Sequence, residues 1–582
     1  MANTDHLFKS SVMGHPAGLF VLFFTEMWER FSYYGMRAIL VLFLTSSLLD
    51  GGWGWPRAHA LALYGTYTSM VYLTPILGGF LADKYLGYKK AVVVGALLMT
   101  LGHASMAFET EPTLYIGLLC LIFGNGFFKP NMTSILSHMY VNHTEKKDGA
   151  YTIFYMGVNA GAFLGIMLCG YLGEKVGWSW GFGLAGIFMF LGMLQFHLSR
   201  NIFGEIGDAP EGQKTAAQNE DNESEANGGK LNPFTMVDKL LIGLAAALAL
   251  TWVINDPVSK IYDISLFKTA AGKDISNNIL LGTFMIFLYI LASRIVRYFH
   301  VTRDRMIAVF CIAIFYMFFW ACFEQAGGSM TIFADAYTDR KLDGVAAYVF
   351  KISNTLLTIV PMGILTYVLY ALFKQTFKDY AAANIVLGFS FVIIWGIVLW
   401  YVKTEFSKPE TEIAASWFSI LNSFFIIALG PVFSKIWESK YNPNVSVKYA
   451  IGLILLGTGF LALAFGSSGI PLGAQTASVS IVWLIIAYFF HTTGELCISP
   501  VGLSYVSKLV PGRMIGIMFG IWYLSIAIGN KLAGSIGEKI DTISATYGLS
   551  KFFLIFTAIP FSAALVMLAI SPFLRKMMHG FR

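Results

Sequence analysis

Charge is what this sequence has least of. Asp, Glu, Lys and Arg make up 13% of its 582 residues, about half the share usual in soluble domains, which excludes a soluble enzyme or binding module. Cysteine is also scarce: Cys120, Cys169, Cys311, Cys322 and Cys497 all fall inside hydrophobic runs, without the spacing of a metal site or a disulfide framework, and read as core residues. No loop is long enough to house a soluble output domain, which argues against a sensor. No His-Glu-x-x-His helix is present, which argues against a metal-dependent intramembrane protease. The first apolar run, Leu19 to Leu49, has no small-residue cleavage site and contains four charges, so it reads as a retained helix rather than a leader. The net charge of +6 is spread over loops, so nucleic acid is not an expected partner.

What is present is apolar: 56% of the chain, in runs that recur almost end to end. At roughly 20 residues per crossing, spans are expected near 17–49, 60–82, 89–108, 113–140, 149–173 and 180–200, then 234–254 and 278–298. A second set follows near 306–334, 345–372, 382–402, 412–438, 447–466, 478–508, 514–536 and 550–574, sixteen in all. The Asn-, Glu- and Gly-rich stretch from Gly204 to Asn232 buries too little to fold and reads as a linker between halves. Lys84, Lys89 and Lys90, then Lys146 and Lys147, then Arg294, Arg297, Arg303 and Arg305, and finally Arg575 and Lys576 occupy alternate loops. Acids such as Glu109, Glu111, Asp335, Asp339 and Asp343 occupy the opposite ones. The basic loops are expected to be cytoplasmic, and with them both termini.

The informative charges are those inside spans. At 3.6 residues per turn, Glu26, Glu29, Arg30, Tyr33, Tyr34 and Arg37 share one broad face of the first span. Each ionised group there costs about 2.5–3.5 kcal/mol at a helix centre, so the face must turn to the protein interior or to water. A structural ion pair between Glu26 and Arg30, spaced i,i+4, is the plainer alternative. Lys129, Glu324 and Glu495 are similarly embedded among apolar residues and glycines, and Pro130 after Lys129 frees a backbone carbonyl. His491 reads as a packing residue, Lys351 as a boundary marker, and Asn530-Lys531 as either packing or substrate contact. A faint echo between Phe127-Phe128-Lys129-Pro130-Asn131 and Cys497-Ile498-Ser499-Pro500-Val501 suggests related halves with a site between them.

Several motifs resemble the proton-dependent oligopeptide transporters of the major facilitator superfamily. They are the Glu26–Gly35 segment, Gly78-Gly79-Phe80-Leu81-Ala82-Asp83 with Gly87, Gly124 to Asn131, Phe154-Tyr155 with Val158-Asn159-Ala160-Gly161, Phe323-Glu324-Gln325, Gly494 to Pro500, and Gly520 to Ser525. The resemblance implies an all-α polytopic membrane protein of the major facilitator fold. Its first six-helix bundle is residues 1–200, its linker and inter-bundle helices 201–303, and its second bundle 304–582, with an extra hairpin inserted at 345–402. It also implies symport of protons with di- or tripeptides in a bacterial inner membrane, by a monomer in the lipid bilayer with no cofactor beyond the proton.

Glu26, Glu29, Arg30, Lys129 and Glu324 would couple the proton, with Glu324 pairing with Arg37 as the cavity closes. Tyr33, Tyr34, Arg37, Tyr72 and Lys129 would line the pocket near the peptide carboxylate. Asn159 and Asn422 would bond the backbone, Glu495 would face the amine, and Trp522 would shape a side-chain pocket. Plant relatives of the same fold move nitrate and other small anions, which remains the alternative cargo. The chain departs from the family pattern at Phe418-Ser419-Ile420-Leu421-Asn422-Ser423, which keeps the Asn but loses a Gln and a Pro, and in having the 345–402 hairpin at all.

Overall fold

The computed structural model describes residues 5–209, 232–269, 272–440, 442–509 and 514–579; most of the expected linker lies outside them. The first bundle comprises α1 (Ala17–Thr45), α2 (Arg57–Leu81), α3 (Tyr88–Met106), α4 (Glu111–Met139), α5 (Thr144–Lys175) and α6 (Trp178–Ser199). A pair, α7 (Met236–Ile261) and α8 (Ser276–Ile295), leads to α9 (His300–Phe323) and the short α10 (Ser329–Ala336). The inserted hairpin is α11 (Gly344–Thr376) and α12 (Ala381–Ser407). The second bundle continues through α13 (Ile420–Glu438), α14 (Val445–Gly466), α15 (Val482–Leu509), α16 (Met514–Gly537), the short α17 (Ile540–Tyr547) and α18 (Leu549–Met577).

Twelve spans among the described residues are long and apolar enough to cross a membrane. Three of the other expected crossings, α1, α2 and α3, carry polar and charged residues that keep them out of these twelve. For α1 the physical reason is plain: it is buried in protein along nearly its whole length, so it can carry polar and charged groups that a lipid-facing helix could not. Two expected boundaries differ. The run 306–334 breaks at a 3-10 turn over Glu324–Gly327, where a side chain on Gly327 would collide with the Tyr64 hydroxyl. The run 412–438 begins with a 3-10 turn, Ala415–Ser419, ahead of α13. Among the described residues the fold is all-helical apart from short pairings in the loops, such as 338–339 with 479–480 and 341–342 with 411–412 at one end.

Close helix approach follows from glycine spacing. Gly157, Gly161 and Gly165 recur every fourth residue on α5 and face α1. Side chains at Gly161 and Gly165 would strike the Met27 and Phe31 carbonyls, and a Cβ at Gly157 would lie 2.9 Å from the Phe23 ring. Between the bundles the tightest crossing is α2 on α16, where a Cβ on Gly65 would sit 2.8 Å from Gly534 Cα. On the other side of the interface α5 meets α13.

The two extra pairs flank these crossings. α7 lies on α2 and is held to α16 by the Lys531–Asp256 pair and by Lys260–Glu538 at 2.5 Å. Lys531 also donates to Thr66 at 2.7 Å, which settles its role as packing rather than substrate contact. The hairpin is spliced into the second half of the chain yet packs on the first bundle. α12 lies along α6, Phe391 meets Phe24 and Trp28, and Glu405 accepts from Tyr171 at 2.7 Å. Lys351, expected at a boundary, is buried and donates to the Lys408 carbonyl near the hairpin's ends. Because α2 and α16 approach most closely at Gly65 and Gly534, Gly534→Leu should overpack the crossing at a cost of about 1–3 kcal/mol, read as a lowered melting temperature in detergent; an unchanged value would show that the crossing is not a close contact.

Candidate functional site

Between the bundles lies a cavity of about 460 Å³. α1 contributes Glu26, Arg30, Tyr34 and Arg37; α2 and α4 contribute Tyr72 and Lys129; α5 contributes Tyr151, Tyr155 and Asn159. The second bundle adds Tyr316, Trp320, Asn422, His491, Glu495 and Trp522. Tyr155 and Tyr151 are solvent-accessible, so the cavity reaches water toward the end bearing Lys84 and Lys146. At the opposite end the bundles are bonded together. Arg57 pairs with Asp541 at 2.9 Å, Lys175 with Glu412 at 2.7 Å, and Glu174 accepts from the Ala415 and Ser416 amides and the Ser416 hydroxyl.

The charges in this low-dielectric space fall into two kinds. Arg30 is compensated twice: its Nε lies 2.8 Å from both Glu26 Oε1 and Glu29 Oε2, and Asn125 donates to the other Glu29 oxygen at 3.1 Å. Arg37 Nη2 meets Glu324 Oε1 at 2.6 Å across the bundles. Tyr64 closes a triangle, accepting from Arg37 Nε at 2.8 Å and donating to Glu324 at 3.2 Å. Lys129 and Glu495 are different. Among the described residues neither has an ion-pair partner. The Lys129 ammonium sits 4.4 Å from the centre of the Tyr72 ring, and Glu495 Oε2 accepts a hydrogen bond from Asn422 at 2.9 Å.

The sequence model of the POT family matches residues 89–408 and 397–552. This chain belongs to the POT family. Among its relatives, peptide transporter YePEPT of Yersinia enterocolitica is 30% identical over 574 residues, covering 97% of this chain and 96% of the relative. A di-/tripeptide transporter of Lactococcus lactis is 26% identical, covering 99% of each chain. A crystal structure of the peptide transporter POT in complex with sulfate superposes with a TM-score of 0.68 at 27% identity, covering all of both chains. The fold is therefore the major facilitator fold of POT transporters.

Set against the residues expected for a POT transporter, the cavity gathers Glu26, Arg30, Tyr34, Arg37, Tyr72, Lys129, Asn159, Asn422, Glu495 and Trp522. Tyr33 is a correction: it is 3% exposed, is not on the cavity wall, packs edge-on against Tyr34 and lies under the Arg30 guanidinium, whose central carbon is 5.9 Å from the Tyr33 ring centre. Glu29 and Glu324 are also withdrawn from the wall, each held by its arginine. Lys129 joins Glu26, Glu29 and Arg30 only as an electrostatic neighbour, not through an ion pair. Asn159 is engaged locally, donating to the Tyr155 carbonyl at 2.9 Å. Trp522 stacks on Tyr316 with ring centres 4.3 Å apart. His491 reaches the cavity wall while packing on Phe460.

Sequence reasoning missed Tyr64, Asn125 and the Asp256–Lys531 link. Asn125 lay inside a quoted motif without a role, and Tyr64 carries no charge to attract notice. The Arg37–Glu324 pair is the bond most open to test. Removing either partner strands a buried charge at about 3–5 kcal/mol. Arg37→Glu and Glu324→Arg should each abolish transport, and the double reversal should restore part of it; no recovery in uptake assays would count against the pair.

Proposed function

We propose that this POT transporter imports di- and tripeptides together with protons by alternating access. In this reading it is a monomer in a bacterial inner membrane, with both termini in the cytoplasm and the proton as its only cofactor. The observation that carries the reading is the pair of lone opposite charges on facing walls of one cavity, Lys129 from the first bundle and Glu495 from the second. A zwitterion with an amine and a carboxylate at fixed separation satisfies both at once in a space where charges interact strongly. Nitrate would suit Lys129 but meet a like charge at Glu495. The names of the Yersinia and Lactococcus relatives support peptide as the cargo.

The basic loops put the cytoplasm at the Lys84 end, so the described arrangement faces inward, with Arg37–Glu324 and Arg57–Asp541 sealing the outer side. Coupling follows from shared charges. Protonating a carboxylate of the Glu26–Glu29–Arg30 cluster weakens its hold on nearby cations, and a substrate carboxylate on Lys129 changes the field that the cluster feels, so proton and peptide affinities are linked. One proton entering down 100 mV supplies about 2.3 kcal/mol, a roughly fifty-fold concentration ratio for a neutral substrate.

The test is uptake into proteoliposomes. Labelled dipeptide should accumulate only under an inward proton gradient, and nitrate should not accumulate at all. Lys129→Ala should abolish gradient-driven accumulation while leaving peptide exchange measurable. Accumulation undiminished in this variant, or nitrate carried in place of dipeptide, would contradict the reading.

A further inference from the structure

The carboxylate of Glu495 does not stand alone on its wall. Thr492 and Glu495 are three residues apart on α15 and therefore lie on one face. Opposite them on α13, Asn422 Nδ2 donates to Glu495 Oε2 at 2.9 Å and to Thr492 Oγ1 at 3.1 Å. A primary amide nitrogen has two hydrogens, so both are committed. Thr492 is fully buried and is not on the cavity wall, whereas Asn422 and Glu495 are.

The remaining capacity of the group is all of one kind. Asn422 keeps its Oδ1, and Glu495 keeps its Oε1, both acceptors. An ammonium, with three donors and no acceptor, is the chemistry that such a pair fits. Rotating the Asn422 amide by half a turn would reverse this, setting Oδ1 against the Glu495 carboxylate and turning N–H groups toward the ammonium. With Glu495 ionised, the arrangement seen is the one in which every contact joins donor to acceptor.

We propose that Thr492 is a positioning residue for amine recognition: by taking the second Asn422 hydrogen it holds the amide so that Asn422 Oδ1 and Glu495 both face the substrate ammonium. This rests on the reading of Glu495 as the amine site. Thr492 touches no substrate itself. Its hydroxyl acts through Asn422, and valine has the same branching and nearly the same size as threonine. Replacing the hydroxyl with a methyl leaves one buried Asn422 hydrogen without an acceptor, so the amide is held by Glu495 alone and is freer to swing its Oδ1 away from the ammonium.

The experiment measures competition against labelled dipeptide by three unlabelled ligands: the same dipeptide, its desamino analogue, and its carboxy-terminal amide. Native protein, Thr492→Val and Thr492→Ser are compared, and the readout is a ratio within each protein, so losses in yield cancel. Native protein should bind the dipeptide about a hundredfold better than the desamino analogue, and Thr492→Val should lower that ratio by about tenfold. Thr492→Ser, which keeps the hydroxyl, should restore it. The ratio of dipeptide to its amide reports the Lys129 end and should be the same in all three proteins. An unchanged amine ratio in Thr492→Val overturns the proposal, as does a fall in both ratios together, which would mark a general packing defect. Native protein that ignores the amine would overturn the Glu495 reading and this proposal with it. Native discrimination with no effect at Thr492 overturns the proposal alone.

Discussion

Every ionised group enclosed by these helices must find a counter-charge, a hydrogen-bond set or water, because the surrounding medium screens so little. Arg30 finds two carboxylates, Arg37 finds Glu324 and Tyr64, and Lys531 finds Asp256 and Thr66. Once those are accounted for, Lys129 and Glu495 are the two cavity charges without an ionic partner, and they have opposite signs. Among the described residues, the cavity charges left without a counter-charge are the two that a ligand can satisfy.

Helix packing decides which charges can meet. The glycine stripe of α5 lets α1 sink against it, so that the face carrying Glu26 and Arg30 turns inward while the remainder of α1 is wrapped by protein. The same device between Gly65 and Gly534 draws α2 onto α16 and brings Tyr64 to the Arg37–Glu324 pair. Glycine contacts are also easy to part, and the side-chain bonds beside this one, Lys531 to Thr66 and Asn530 to the Thr68 carbonyl, can break and re-form. A crossing that must separate and re-form in each transport cycle is well served by that surface, with the directional bonds of Arg37, Arg57 and Glu174 supplying the closed state's specificity. The inserted hairpin packs on a different surface. It is anchored on the outside of the first bundle, and none of its residues lines the cavity.

Much of this was legible from residues alone. Long apolar runs marked the helices to within a few residues, because a bilayer imposes a minimum length, and charges inside those runs marked the cavity, because nothing else accounts for their cost. Glu26, Arg30, Arg37, Lys129 and Glu495 were all visible in that way. The pairing of Arg37 with Glu324 came from family resemblance, since no spacing rule links residues 287 positions apart. What stayed hidden was uncharged or tertiary. Tyr64 and Thr492 look like ordinary helix residues until their partners arrive from other helices. Tyr33 shares a broad helical face with Tyr34 and yet turns to packing, because a face of that width spans both cavity and core. The break at Gly327 was masked by apolar residues on either side, and the hairpin's docking on the opposite bundle could not be inferred from where it is inserted.

The central claim is that the cavity reads a zwitterion by its two ends, the amine at Glu495. It is tested most directly by comparing dipeptide with its desamino analogue on native protein and on Glu495→Gln. On native protein the analogue leaves a desolvated carboxylate unpaired unless it takes up a proton, at a cost of about 3 kcal/mol, the low end for a broken buried pair, whereas a glutamine amide tolerates the loss of a cation far better. The account predicts a large affinity difference on native protein that shrinks in the variant. Equal binding of both ligands by native protein, or discrimination as sharp in Glu495→Gln as in native, would contradict it and leave Glu495 as a proton site alone.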